Sequence, residues 1–416
     1  MSSPLVTWAD ALWTGATPMD HTSIVGVGLG AGIGLEEVAD RVAFLPNFAN
    51  VVVVDGGDGL ALIDTGSFLT APRVFAEVRR WRAARLATAI YTHGHVDHAM
   101  GVGPFDAEAR AAGRPPPEVI AHEAVPARFE RYRLTAGWNT AINRRQFRVP
   151  GLRWPTDYRL PDRTYRDRLD VTVGDVAIEL HHGLGETDDA TWAWLPAQRV
   201  LCTGDLFIWA VPNCGNPQKV QRYVIEWAAA LDAMRALAPE VLLPGHGPPI
   251  LGAARVAEAL TDTAALLRSL HDQVVAAMNA GLSLDQVIAA VEMPAALLAR
   301  PYLRPVYDEP AFIVRNLWRR YGGWWDGDPA HLLPPREAAL AAEVAALAGG
   351  APALAARAER VADDDLALAC QLAGWAAAAA PADAAVRAIR ATLYRRRAEA
   401  STSLMARAIF AGAAAE

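Results

Sequence analysis

A layered α/β sandwich followed by an all-helical region is the fold class that this sequence predicts. Three observations carry it. Up to residue 252, short β-branched runs alternate with turns and helical stretches. From residue 253 onward, apolar residues recur at helical spacing almost without interruption. The chain has 416 residues, 52% of them hydrophobic, enough for two or three domains of about 100–200 residues, each with its own core.

The elements follow in order. Residues 51–55, Val-Val-Val-Val-Asp, and residues 60–64, Leu-Ala-Leu-Ile-Asp, read as two buried strands. Gly56-Gly57-Asp58-Gly59 joins them as a hairpin. Residues 74–85 have the spacing of a helix, and residues 87–91 form a strand that runs into a His-rich loop. Residues 118–121, 171–173, 176–180, 191–195, 199–202 and 240–243 are further strands, and residues 223–237 form a second helix. Strands with helices spaced between them must stack in layers to bury both. Residues 253–280 read as one long helix ending at Gly281. Pro334-Pro335-Arg336-Glu337 opens another, which stops at Gly349-Gly350. Residues 353–362, 365–379, 383–397 and 401–410 continue the helical series, with no sustained repeat period. The predicted domains are residues 1–252 and residues 253–416.

Composition excludes several functions. The net charge is −7 and the isoelectric point about 5.8, so bulk electrostatics do not favour a nucleic acid. A mean hydropathy of +0.12 excludes a disordered chain. Cys202, Cys214 and Cys370 are odd in number and have no Cys-x-x-Cys spacing, so no disulfide framework is implied and a reducing compartment is expected. The first ten residues lack a basic segment followed by an apolar one, so the expectation is a cytoplasmic protein with no stable membrane insertion. Among 39 basic residues there is a single lysine, Lys219.

The strongest chemical signal is Thr92-His93-Gly94-His95-Val96-Asp97-His98, directly after a strand. Three of the chain's 10 histidines fall in this one window, which argues against a merely polar loop. Alternate residues leave one side of an extended loop, so His93 and His95 can share one metal ion. Asp97 and His98, at the start of an expected helix, can take a second. Imidazole with carboxylate suits Zn²⁺ best, with Fe or Mn as alternatives. Two ions need further ligands, and strand ends downstream offer them. Asp205 closes Leu-Cys-Thr-Gly-Asp and suits a bridging role, and His246 lies in the rigid loop Pro244-Gly245-His246-Gly247-Pro248. For the remaining ligand, residues 181–188 offer His181, His182, Glu186 and two aspartates.

The His-x-His-x-Asp-His motif, the strand-end aspartate and the Gly-His-Gly loop resemble the metallo-β-lactamase superfamily of hydrolases. That resemblance implies an αβ/βα sandwich with a dimetal site on one edge. Where most members carry Gly-His-Thr, this chain has Gly185-Glu186-Thr187, which resembles the alkyl sulfatase branch. The implied third ligand is therefore Glu186, with His181 and His182 left to structural roles. The helical half supports the same branch. Residues 136–147 resemble its Ala-Gly-Asn…Arg-Arg insert, and Trp324-Trp325-Asp326-Gly327-Asp328-Pro329 resembles the start of its dimerisation domain. The sterol-carrier-like domain of the long members has no counterpart in these residues. Asp205 stands where that branch tends to carry glutamate, and the arginine expected to hold sulfate is not clearly matched.

The resemblance implies two Zn²⁺ per chain, held by His93, His95 and Glu186 and by Asp97, His98 and His246, with Asp205 bridging. Asp97 also orients or deprotonates the attacking water. A cationic clamp for an anionic head group is expected from Arg144, Arg145, Lys219 or Arg222, with Asn213 as a further substrate-binding residue. The function read from this is hydrolysis of sulfuric esters of amphiphilic alcohols by a homodimer acting on a small-molecule ester. The rivals are hydrolysis of a lactone, thioester, β-lactam or phosphodiester at the same site, and a dimeric binding protein with a dead site. The ligating residue types at all seven positions argue against the dead site.

Overall fold

The computed structural model describes residues 3–20 and 32–415. After helix α1 (Pro4–Trp13), one sheet is built in chain order from β1 (Glu36–Ala39), β2 (Val42–Leu45), β3 (Val51–Asp55), β4 (Leu60–Ile63), β5 (Leu86–Ile90), β6 (Glu118–His122) and β7 (Arg163–Tyr165). The first four strands pair antiparallel. From β4 to β7 the pairing is parallel. Helices α2 (Ala71–Trp81), α3 (Gly103–Ala111), α4 (Val125–Leu134) and α5 (Ala136–Phe147) fill the crossovers.

The second sheet contains β8 (Arg168–Val173), β9 (Val176–His182), β10 (Thr191–Leu195), β11 (Val200–Ile208), β12 (Val241–His246) and β13 (Ile250–Leu251), in the order β13-β12-β11-β10-β9-β8. Its one parallel pair, β11 with β12, is crossed by α6 (Val224–Ala236). In β3, from Val51 to Val54, and throughout β4 the apolar run is unbroken because these strands are covered on both faces.

Three cores explain the layering. Between the sheets, Phe44, Val52, Ile63 and Ile90 meet Val171, Ile178, Leu180 and Leu243. On the outer face of the first sheet, Val74, Val78, Phe105 and Phe129 pack on Leu45, Val53 and Leu62. On the outer face of the second, Trp227 and Leu231 of α6 pack on Leu201, Phe207 and Leu242. The result is an αβ/βα sandwich, as the sequence predicts, followed by helices only.

Those helices are α7 (Ala253–Asn279), α8 (Leu284–Ala290), α9 (Ala295–Leu298), α10 (Pro310–Gly322), α11 (Glu337–Leu347), α12 (Ala351–Val361), α13 (Leu366–Ala379), α14 (Ala384–Ala400) and α15 (Leu404–Ala415). Strand gives way to helix at Gly252, whose φ of +98° favours glycine. The core does not divide there. Leu260, Leu266, Leu267 and Leu270 of α7 and Leu317 of α10 belong to the same apolar cluster as Trp194 and Phe207. A separate, smaller core begins only with α11 to α14, where Leu354, Ala355, Ala369, Cys370 and Leu393 pack. Helix α15 then returns to the first body, the amides of Leu404 and Met405 donating to the carbonyls of Val306 and Tyr307 at 3.0 and 3.2 Å. Among the described residues no single helix is long and apolar enough to cross a membrane. Helices α11 and α12 qualify only together, and they are bent by 82°.

Because α7 completes the sandwich's outer core, a chain ending at Gly252 is expected to be insoluble or to lack a cooperative thermal transition. In the full chain, Leu267→Ala should lower stability by about 2–5 kcal/mol, measured by chemical denaturation. A soluble, cooperatively melting 1–252 chain would show that the core divides at that boundary.

Candidate metal centre

The sandwich brings the C-terminal ends of β4, β5, β9 and β12, together with the interior of β11, to one edge. The loop after β5 carries His93, His95, Asp97 and His98. Contrary to the sequence expectation, Asp97 and His98 do not start a helix. They lie in a turn closed by the amides of His98 and Ala99 on the carbonyl of His95, and α3 begins only at Gly103. The turn suffices to swing Asp97 and His98 away from His93 and His95.

All seven sequence-predicted ligands meet there, in two groups. His93, His95, Glu186 and Asp205 offer ligand atoms within 4.8 Å of one another, and so do Asp97, His98 and His246. Asp205 addresses both groups. Its Oδ2 lies 3.7 Å from His93 Nε2, while its Oδ1 lies 3.3 Å from His98 Nε2 and 3.4 Å from His246 Nε2. Asp97 Oδ2 is 3.6 Å from His246 Nε2 and 3.7 Å from His98 Nε2.

Three of the four imidazoles are oriented by what their Nδ1 bonds. His93 Nδ1 is 3.0 Å from Thr92 Oγ1, His98 Nδ1 is 2.7 Å from Asp64 Oδ2, and His246 Nδ1 bonds the carbonyl of Phe48. That leaves Nε2 of all three for the centre. Asp64 is the anchor: it also accepts from the Thr92 amide at 2.7 Å and the Thr92 hydroxyl at 2.8 Å. Its φ of +59° is strained for an aspartate and is held by these bonds. Two glycines clear space. A Cβ on Gly245 would lie 2.1 Å from Asp205 Oδ1, and one on Gly204, at φ +50°, would lie 2.7 Å from Thr92.

The residues fit metal ions on chemical grounds. His98 Nε2 and Asp205 Oδ1 are buried and make no hydrogen bond. Burial holds His93 down to about 3 and His95 well below the usual imidazole range, so both are neutral, the ligating form. Burial would lower His98 too, yet Asp205, Asp64 and Asp97 outweigh it and raise it well above the ordinary value. A pocket that draws a proton onto a buried imidazole is one that draws cations. Burial pushes Glu186 up to about 8, against the pull of Arg222. Arg222 bonds that carboxylate and the Asn213 carbonyl, and Asn213 Nδ2 donates to it as well. His181 and His182 stay outside, stacked on Trp192 and on His122.

The expected clamp is only partly present. Asn213 and Lys219 line the cavity beside the ligands. Arg144 and Arg145 do not. The buried face of α5 is Asn139, Ile142, Asn143 and Gln146, so the two arginines project outward, Arg144 to the carbonyl of Leu152 and Arg145 to Gln218. Sequence reading missed Tyr307, which enters the cavity from the helical half and accepts from Gln146 Nε2 at 3.0 Å. It also missed Arg128. That arginine is buried, and its Nε donates to Asp189 Oδ2 at 2.5 Å, the same oxygen that accepts from the Gly94 amide at 3.1 Å. A Thr-Asp-Asp run after the Glu186 ligand was the available signal for Asp189. Nothing in the sequence pairs it with Arg128, 61 residues away.

The Arg128–Asp189 pair therefore fastens the ligand loop to the second sheet. Burial alone would raise the Asp189 carboxyl, but Arg128 holds it at about 2. Its contribution to stability is present above the ordinary carboxylate range and fades as pH falls toward 2. Arg128→Met should cost about 3–5 kcal/mol at neutral pH, because a buried carboxylate is left alone. In that variant burial acts unopposed and the carboxyl titrates above its ordinary range, so the deficit should shrink as pH is lowered. Chemical denaturation at neutral and mildly acidic pH measures both, and an equal deficit at the two pH values would contradict the account.

With the geometry in hand, comparison with known proteins is direct. The model of the metallo-beta-lactamase superfamily matches residues 45–246, and that of alkyl sulfatase dimerisation matches residues 283–416. A linear primary-alkylsulfatase of Pseudomonas sp. is 29% identical over 374 residues, covering 85% of this chain and 71% of that protein. An (R)-specific secondary-alkylsulfatase of Pseudomonas sp. is 28% identical over 322 residues, 70% of this chain and 48% of that one. A variant of the sec-alkyl sulfatase PisA1 superposes with a TM-score of 0.83 at 25% identity, over 98% of this chain and 70% of that one. The two matched regions lie in the same order as the sandwich and the helices, and the candidate ligand cluster lies at the sandwich edge: residues 45–246 match the metallo-beta-lactamase superfamily, residues 283–416 match the alkyl sulfatase dimerisation family, and along most of its length the chain is similar to alkylsulfatases.

Proposed function

We propose that the chain hydrolyses sulfuric esters of amphiphilic alcohols, and that it does so with two divalent metal ions, Zn²⁺ first among them. One observation carries the substrate class. A cavity of about 270 Å³ opens directly on the ligand cluster and is walled by Phe48, Val96, Phe147, Leu152, Trp154 and Ile208. An alkyl chain leaves water there at about 0.8 kcal/mol per buried CH₂. At the same cavity's inner end stand His95, Asp97, Glu186, Asp205 and His246 together with Lys219 and Asn213. A long apolar tail ending in an anion matches that sequence of surfaces.

His93, His95 and Glu186 would hold one ion and Asp97, His98 and His246 the other, with Asp205 between them. Bound there, the ions would acidify a water toward a pKa of about 7 and offset the charge of the sulfate. The chain's own residues do the remaining work. Asp97, with 20% of its side chain exposed, faces the cavity and can accept a proton from the attacking water. Lys219 lies with its Nζ 5.7 Å from the centre of the Trp154 ring, beside the ligands, where burial lowers its ammonium to about 8. It remains largely charged at neutral pH and can hold a sulfate oxygen. Arg222 opposes the effect of burial on the Glu186 carboxyl and holds it in place by a direct hydrogen bond. The apolar wall excludes water from the tail while the anion is held.

The relatives named above are alkylsulfatases by name, and the dimerisation region supports an assembly. We infer a homodimer. Residues 321–347 expose Tyr321, Trp324, Trp325, Leu333, Leu340 and Leu347, with Leu333 91% and Leu347 88% exposed. Apolar side chains that far out of the core mark an association surface.

Metal analysis followed by a substrate panel tests the reading. The native chain should retain two metal ions and cleave alkyl sulfates in preference to lactones and phosphodiesters. His95→Ala should lose most metal and all turnover while keeping its fold by circular dichroism. Lys219→Met should lower kcat/KM on an alkyl sulfate by roughly 10- to 150-fold and leave an uncharged lactone untouched. Preference for the lactone, or full activity of Lys219→Met on the sulfate, would exclude the proposed substrate. Light scattering should give near twice the 44.5 kDa chain mass, and Trp324→Ala/Leu333→Ser should shift it toward one chain.

A further inference from the structure

The ligand cluster has a second approach. A separate cavity of about 320 Å³ also reaches His95 and Glu186, beside Tyr132 and Lys219. These four residues and Arg222 belong to the walls of both cavities. The two differ in character. The first is walled mainly by aromatic and aliphatic side chains. The second carries Arg128, Arg131, Arg319, Thr135, Asn139 and Gln218 besides the shared residues, with Trp138, Pro217 and Val220 as its apolar part.

Its charges do not cancel. Arg128 is matched by Asp188 and Asp189, and Arg222 by Glu186. Among the described residues no carboxylate pairs with Arg131, Arg319 or Lys219. Arg131 lies over the Tyr132 ring, and Arg319 is exposed at the end of α10. Three unneutralised cations around one cavity, in a chain of net charge −7, make a local anion-attracting field. Two hydrogen-bond donors on its walls, Gln218 Nε2 and Arg222 Nε, are buried and unpartnered.

We infer that this second cavity is the sulfate's own passage: it binds inorganic sulfate and releases it while the alcohol still fills the apolar cavity. The inference rests on the proposed sulfate-ester hydrolysis. In that reaction water adds across the ester, giving an alcohol and hydrogen sulfate, which loses its proton to solvent. The products have opposite solvation. An alcohol is retained by the apolar wall, and a dianion moving out along that wall would lose its hydration without compensation. The cationic cavity offers the anion three charges, Lys219 shared with the first cavity, Arg131, and the exposed Arg319. Arg131 and Arg319 touch none of the ligands, so they act on the leaving anion alone.

The test uses the metal-loaded full chain, native and as Arg131→Gln/Arg319→Gln. Turnover of an alkyl sulfate is inhibited with inorganic sulfate, with the corresponding alcohol, and with both together. The two products should inhibit simultaneously without excluding one another. The double substitution should weaken inhibition by sulfate roughly 3- to 30-fold, as for two partly exposed charge contacts, and leave inhibition by the alcohol and the thermal midpoint unchanged. Sulfate inhibition unchanged in the variant, or products that exclude one another, overturns the inference. If the native chain turns over no alkyl sulfate, the proposed function fails. Calorimetric titration of inorganic sulfate then still decides the cavity. Binding by the native chain that is weakened in the variant supports it, and equal binding, or none by the native chain, overturns it.

Discussion

Asp205 presents its two carboxylate oxygens to two different sets of imidazoles, and the rest of the structure is arranged so that it can. His93 approaches from the first sheet, His246 from β12 of the second, and His98 from the far side of the loop after β5. Sub-ångström placement of side chains from two sheets requires that the sheets be locked together at this edge. The locks are polar and buried. Asn50 Nδ2, beside β3, donates to the carbonyls of Pro244 and Gly247 around His246. The Thr191 amide of β10 donates to the Thr92 carbonyl at 2.6 Å, beside His93. The hydrophobic core between the sheets brings them close, but it is non-directional and could not set this register.

Charge imposes a second constraint. Burying three carboxylates and four imidazoles at one point is costly unless each is matched. The buried Arg222 matches Glu186, and a second buried pair, Arg128 on Asp189, steadies the loop that carries the histidines. Such pairs contribute little net stability compared with apolar packing, since both partners are desolvated. Their value is geometric, because only one arrangement satisfies both. The candidate ligands are therefore held by a frame of ion pairs and hydrogen bonds, and the apolar cavity beside them is built against that frame without disturbing it.

The helical half is not an appendage to this site. Tyr307 forms part of the cavity wall, and Asp308 accepts from the Gly215 amide at 2.6 Å, tying the loop that carries Asn213 to the start of α10. Burial raises the Asp308 carboxyl to about 7, a cost tolerated because two backbone amides hold it. Helix α15 bonds the Val306 and Tyr307 carbonyls from the far end of the chain. An assembly formed through residues 321–347 would thus be mechanically continuous with the cavity.

How much of this was legible beforehand follows from what is local. The buried strands β3, β4 and β10 and the helices α7, α11 and α13 are written in composition and period, because burial on two faces or on one stripe leaves a repeating trace. The candidate ligands were legible only in part for a related reason: histidine is rare, and His93, His95 and His98 crowd into one window, whereas Glu186 was singled out only by the family resemblance. Strands β1, β2 and β7 and helices α3 to α5 were not read. They are short, and their apolar positions make sense only against the sheet they cover. The clamp shows the limit most clearly. Arg144 and Arg145 carry the right charge in a motif resembling the family's, yet α5 turns its Asn143–Gln146 side inward and leaves them outside. Lys219, chosen for its rarity, lies at the junction of the two cavities. Sequence by itself determined which chemistry was available, since that depends on residue type and local spacing. Only the tertiary structure decided which charges face the site, because the direction of a side chain is set by helix rotation and packing, which are non-local.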